Sequence, residues 1–110
     1  MDVPEVDPIE AIQLLNEAGA VLLDVREDDE WSAGHAPRAI HVPLGTLDTR
    51  GFDTTVPVVA VCRSGKRSGV AAGRLVAAGV TAYNLAGGMK AWMESGQPVI
   101  RDDYKAATII

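Results

Sequence analysis

Cysteine is almost absent from this chain. Among 110 residues only Cys62 carries a thiol, so no internal disulfide can form. Aromatic residues are also scarce, at 5%, which leaves aliphatic side chains and alanine to build a core. No apolar run approaches the ~18 residues that crossing a bilayer requires, so no membrane association is expected. Basic residues do not exceed acidic ones; they stand at 10 against 15, a net charge of −5. That balance speaks against general nucleic-acid binding. The opening Met1-Asp2-Val3-Pro4-Glu5 is acidic and has no signal-peptide apolar core, and a single thiol suits a reducing compartment. A cytoplasmic location is the expectation.

What is present describes a soluble globular protein: 47% hydrophobic and 23% charged residues are ordinary proportions. The length supports one domain, residues 1–110, with a core over about 5–100. Residues 101–110 form a C-terminal extension, either docked or frayed.

Asp7-Pro8-Ile9-Glu10 is a helix start, with Asp7 as N-cap, Pro8 in the first position and Glu10 closing a capping box. Ile9, Ile12 and Leu15 keep helical spacing and Gly19 supplies the stop. Val21-Leu22-Leu23-Asp24-Val25 is the short apolar run of a strand covered on both faces. Asp28 is placed to cap a short helix, Trp31 to Ala33, ended by Gly34. Ala39 to Val42 reads as a second buried strand, Leu44 to Leu47 as one helical turn, and Thr49 to Thr55 as a loop. Val58 to Val61 is a third strand, and Gly69 to Ala78 a helix whose small residues suit close packing on a sheet. Ala82 to Leu85 is a fourth strand, Gly87-Gly88 a turn, and Met89 to Glu94 a last helix. Strands alternating with helices imply an α/β sandwich: a mainly parallel sheet of about five strands, helices on both faces.

The chemistry concentrates at Cys62-Arg63-Ser64-Gly65-Lys66-Arg67-Ser68. Cys62 stands at the carboxyl end of a buried strand, where open sheets of this kind place their ligands. The basic loop after it opens a helix. Free N–H groups at a helix start and three cations within five residues favour a thiolate and draw in anions. A structural cysteine buried as a small hydrophobe would gain nothing from charges that are costly to bury unpaired.

The matching pieces extend along the chain. They are Leu22-Leu23-Asp24-Val25-Arg26, Glu30-Trp31, Gly34-His35-Ala36-Pro37-Arg38-Ala39, Pro43, the Cys62 to Ser68 run, Leu85-Ala86-Gly87-Gly88 and Ala91-Trp92. In this order and spacing the chain, from about Val6 to Val99, resembles a single-domain rhodanese-type sulfurtransferase. One departure is Arg38, where that family often has glycine. The resemblance implies a rhodanese-like sandwich and sulfane-sulfur transfer. Cys62 takes sulfur from thiosulfate or a similar small anionic donor as a persulfide. It then passes the sulfur to cyanide, a thiol or a protein cysteine. Backbone N–H groups from Arg63 to Ser68 are suited to hold the persulfide, and the forks of Arg63 and Arg67 suit an oxyanion. Lys66 adds a looser charge at the rim. No cofactor and no metal is called for, the covalent persulfide being the carrier.

Asp24 and Arg26 are supporting residues, read as a structural ion pair near the loop. His35 is another, with a capping or packing role favoured over proton donation. His35 and His41 lack the neighbours of a zinc site. Trp31 and Trp92 read as core or rim packing. Two other functions compete. A cysteine phosphatase or arsenate reductase also holds a thiolate before a helix, but the dual-specificity and low-molecular-weight types need arginine six residues after cysteine. Here that residue is Ser68, and Arg67 falls one place early, closing a shorter ring. The second rival is a non-catalytic or redox-sensing module of the same fold, built on an exposed low-pKa thiol.

Overall fold

The structure, a computed structural model, describes residues 3–110; Met1 and Asp2, which begin the acidic N-terminal stretch, lie outside the described residues. The capping box at Asp7 forms as the sequence dictates. The Asp7 carboxylate accepts from the Glu10 N–H at 2.8 Å, and the Glu10 carboxylate accepts from the Asp7 N–H at 3.1 Å. It starts helix α1, Pro8–Glu17. Strands β2 (Val21–Asp24), β4 (Val58–Val61) and β5 (Ala82–Leu85) fall on the predicted apolar runs. Strand β1, Glu5–Val6, and strand β3, Ile40–His41, are two residues each. Helices α2 (Asp28–Ala33), α3 (Lys66–Ala77) and α4 (Gly88–Glu94) complete the chain.

The five strands lie in the order β1-β5-β4-β2-β3, and every pairing is parallel. The sheet is thus wholly parallel, the α/β architecture expected. Alternation along the central strands splits the core in two. Val59 and Val61 join Leu22 and Leu85 under Ala11 and Leu15 of α1 and Met89 and Trp92 of α4. Val58 and Ala60 face the other way, with Leu23, beneath Ala71, Ala72 and Leu75 of α3. Cys62 continues this second parity, so its side chain turns toward α3. From β2 the chain moves outward to β3; from β4 it moves outward the other way, to β5. Cys62 therefore sits where the winding direction reverses, the crevice such sheets use for ligands.

Several local expectations are corrected. Helix α3 begins at Lys66 and not Gly69: Gly65 at φ +112° turns the chain left-handed and serves as N-cap, so Lys66, Arg67 and Ser68 form the first helical turn. Helix α2 begins at Asp28, capped not by Asp28 but by Glu27, whose backbone N–H donates to Glu30 Oε1 at 3.0 Å. Strand β3 is shorter than Ala39–Val42 and is an edge, with Ile40 52% exposed. The expected turn at Leu44 is a 3₁₀ turn over Leu44–Thr46, and a second, Thr49–Gly51, lies inside the expected loop. Strand β1 was absent from the four apolar runs. It is held by the Asn84 N–H donating to Pro4 O at 2.9 Å and the Ala86 N–H to Val6 O at 2.8 Å.

The C-terminal extension is docked. His35 and Ile100 exchange N–H donations at 2.9 and 2.8 Å, and the Thr108 N–H donates to Ala33 O at 2.9 Å. Val99 and Ile109 pack on the core. Among the described residues no helix is long and apolar enough to cross a membrane.

Candidate active site

Burial of all four β4 residues fixes the strand's end, and Cys62 follows, 1% exposed. The left-handed turn at Gly65 folds the loop back over the sulfur, so the Gly65 N–H points at Cys62 Sγ from 3.1 Å. Ser68 lies on the buried stripe of α3 with Ala71, Ala72 and Leu75, at helical spacing. That stripe carries its hydroxyl to 3.3 Å from Sγ. Burial pushes the Cys62 thiol toward its neutral form. The Ser68 hydroxyl and the N–H groups of Ser68, Gly65 and Ser64 outweigh it, and the net shift is downward, toward thiolate.

The cations divide into two kinds. Arg63 and Lys66 are exposed. Arg67 is engaged: Nη1 donates to Glu30 Oε1 at 2.7 Å and Nη2 to Glu30 Oε2 at 2.8 Å. The Arg67 guanidinium holds the Glu30 carboxyl down at about 2, and Glu30 in turn raises Arg67. Arg67 thus braces the loop against α2.

The loop is also braced from α4. The Met89 N–H donates to Cys62 O at 2.7 Å and the Lys90 N–H to Arg63 O at 3.2 Å. Gly88, at φ +60°, makes this approach; a Cβ there would come within 2.5 Å of Arg63 C, Arg63 O and Cys62 O. The Gly87-Gly88 turn is the seat of the loop.

Of the supporting residues, Asp24 and Arg26 form a fully buried pair, Nε donating to Oδ1 at 3.0 Å and Nη2 to Oδ2 at 2.8 Å. Arg26 Nη2 also donates to Gly34 O at 2.7 Å, while its Nη1 is buried with no partner. Neither residue bonds the Cys62 loop. His35 is buried and its ring nitrogens have partners other than the sulfur: Nδ1 lies 3.0 Å from Ala36 O and Nε2 2.9 Å from Asp102 Oδ1. Its ring stacks on Trp31 at 3.6 Å, and His41 stacks on the other face at 4.7 Å. Among the described residues no cluster of three His, Cys, Asp or Glu could hold a metal. Trp92 is core, its Nε1 donating to Pro98 O at 2.9 Å. Arg38 ties its own segment, between α2 and β3, to the end of α1, donating to Asn16 Oδ1 at 2.6 Å and Leu15 O at 3.1 Å.

The sequence reading missed Asn84. It is 5% exposed on β5, accepts from Ser68 Oγ at 2.6 Å and donates through Nδ2 to Gly65 O at 2.9 Å. A signal existed: an amide inside a buried strand run must find partners.

The chain matches the family model of the rhodanese-like domain over residues 7–95. The chain belongs to this family. Sulfurtransferases are among rhodanese-like proteins. The fold is similar to that of a rhodanese-related protein from Thermoplasma volcanium, with TM-score 0.80 and 24% identity over 88% of this chain and 97% of that one. It is similar to a thiosulfate sulfurtransferase from Pseudomonas aeruginosa, with TM-score 0.79 and 26% identity over 98% of this chain and 22% of that one. A third protein of similar fold is one of unknown function from Rhodopseudomonas palustris, described as a possible tyrosine phosphatase. It has TM-score 0.75 and 24% identity over 89% of this chain and 85% of that one.

Proposed function

We propose that this rhodanese-like domain moves sulfane sulfur through a persulfide on Cys62, with thiosulfate or a similar small anion as donor. The observation that carries this reading is the sulfur's setting. It lies on the floor of a short loop, faced by the Gly65 N–H and the Ser68 hydroxyl, and shifted toward thiolate. The Cys62 thiolate attacks the outer sulfur of thiosulfate; the new S–S bond forms as the old one breaks, and sulfite leaves with the electron pair. The persulfide's outer sulfur, now anionic, is suited to the loop N–H groups. A cyanide or thiolate acceptor then attacks that outer sulfur, and the Cys62 thiolate is the leaving group. The two half-reactions give ping-pong kinetics. Every step is met by the thiolate and its donors, with no cofactor.

The exposed Arg63 and Lys66 are the cations free to meet the donor, since Arg67 serves Glu30. That same pairing supports sulfur over phosphate. A cysteine phosphatase needs an arginine fork turned to the ester, and here the fork of Arg67 is closed on the Glu30 carboxylate.

The test combines thiosulfate–cyanide turnover to thiocyanate with intact-mass analysis. Thiosulfate treatment should add one sulfur, about 32 Da, to Cys62 as its thiolate is persulfidated, and Cys62→Ser should abolish both signals. Turnover that survives Cys62→Ser, or hydrolysis of an aryl phosphate in place of sulfur transfer, overturns the reading.

A further inference from the structure

The Ser68 hydroxyl has one proton and two acceptors before it. Its Oγ lies 3.3 Å from Cys62 Sγ and 2.6 Å from Asn84 Oδ1. Asn84 cannot turn over to relieve this. Its Nδ2 faces Gly65 O at 2.9 Å and Glu5 Oε2 at 3.0 Å, two groups that only accept, so the amide oxygen must face Ser68. With Cys62 as a thiol, every group is satisfied: S–H donates to Oγ, and O–H donates to Asn84. With Cys62 as a thiolate, the hydroxyl must choose. Turned to the sulfur, it leaves the buried Asn84 oxygen without a donor; kept on Asn84, it leaves the sulfur to backbone N–H groups alone.

We propose that Asn84, backed by the Glu5 carboxylate, is a positioning residue for Cys62: it competes with the sulfur for the Ser68 proton. The sheet register builds this arrangement, pairing Glu5 with Asn84 across β1 and β5. A carboxylate accepting from the amide N–H polarises it and strengthens the oxygen's hold on Ser68. The space is kept by glycine, since a Cβ at Gly69 would come within 3.3 Å of Asn84 Nδ2. The other charges near the sulfur are Arg67, with Glu30 and Glu27 about it, and the exposed Arg63 and Lys66. None of these is bonded to Asn84. In the persulfide the charge moves to the outer sulfur, and the inner sulfur releases the Ser68 proton to Asn84. The competition therefore favours the charged persulfide over the free thiolate; this catalytic meaning rests on the sulfurtransferase reading, while the proton competition does not.

The test is the ultraviolet absorbance of the Cys62 thiolate against pH, with Cys62→Ser as the blank. Asn84→Ala should give about three- to tenfold more thiolate below the midpoint, a midpoint shift of about half to one unit downward. Ser68→Ala should move the midpoint up. In the Ser68→Ala background the Asn84→Ala effect should vanish, because the proton competed for is gone. Glu5→Gln, an exposed edge substitution that spares the core, should shift the midpoint down by less, about twofold in thiolate, and largely lose that effect without Ser68. An upward shift, no shift, or a shift of equal size with and without Ser68 overturns the proposal. If thiosulfate adds no sulfur to Cys62 while the titrations behave as stated, the sulfurtransferase reading fails and the proton competition stands. If persulfide forms and Asn84 and Glu5 leave the titration unmoved, the competition alone fails.

Discussion

Arg67 and Glu30, 37 residues apart, close an ion pair through two hydrogen bonds of 2.7 and 2.8 Å. The residue that looks, from its place after Cys62, like an anion clamp is a strut between α3 and α2. The Cys62 loop is held at three points: by this strut, by the amide of Asn84 below, and by the start of α4 behind.

The strut gives a pH-dependent stability. Arg67 depresses the Glu30 carboxyl from 4.5 to about 2, so its folded pKa lies below its unfolded one. The stabilisation is complete above pH 4.5 and is lost as pH falls toward 2. Glu30→Gln should cost about 1–2 kcal/mol at neutral pH, after allowing for the 35% exposure of the Arg67 side chain. Urea unfolding of the two proteins at stepped pH should show that gap constant above the window and closing within it. A gap independent of pH would show that the pair does not act through charge.

Donor capture should fall to the cations that are free. Arg63→Ala should lower kcat/KM for thiosulfate about fivefold at low salt, the equivalent of about 1 kcal/mol for an exposed charge contact. Lys66→Ala should do less, and both effects should shrink as salt screens the charges. Steady-state kinetics at two ionic strengths reads this, with a loss confined to kcat counting against a binding role.

Gly88 tests the brace behind the loop. A methyl group there meets the backbone of Arg63 and Cys62 at 2.5 Å, at a residue with φ +60°. Backbone cannot yield as a flexible side chain can, so Gly88→Ala should cost about 2–4 kcal/mol. Persulfide formation should drop more steeply than the folded fraction does. Equal thermal stability and unchanged sulfur loading would remove α4 from the account of the site.

The docked C-terminal extension offers a contrasting change, remote from Cys62. A Cβ at Gly34 would stand 2.5 Å from Thr108 O and 3.0 Å from Thr108 N. Gly34→Ala should lift the extension at a cost of about 1–3 kcal/mol. Hydrogen exchange at the Thr108 amide, which donates to Ala33 O, should become fast while Cys62 still takes up sulfur. Protection that survives at Thr108 would show that the extension accommodates the methyl group.

Local residue patterns alone set the layers of the fold and put Cys62 at a strand end. Apolar runs bounded by turn residues made β2, β4 and β5, because burial on both faces of a parallel sheet demands them. The Asp7–Glu10 box set the start of α1 through contacts three residues apart, and Cys62 at the end of β4 could only emerge at the sheet's carboxyl edge. Contacts between residues far apart in the chain follow instead from how the elements pack. A two-residue β1 has no period of its own and forms only because β5 offers it an edge; the fate of the Val99 to Ile110 stretch likewise depends on the surface presented by Ala33 to His35. The partners of Arg67 and Ser68 lie in elements that meet only after the sheet is assembled. Local sequence states which groups carry charge or a proton. Which acceptor they serve depends on ångström distances across packed elements, and for Cys62 that tertiary choice sets the neighbourhood in which its sulfur ionises.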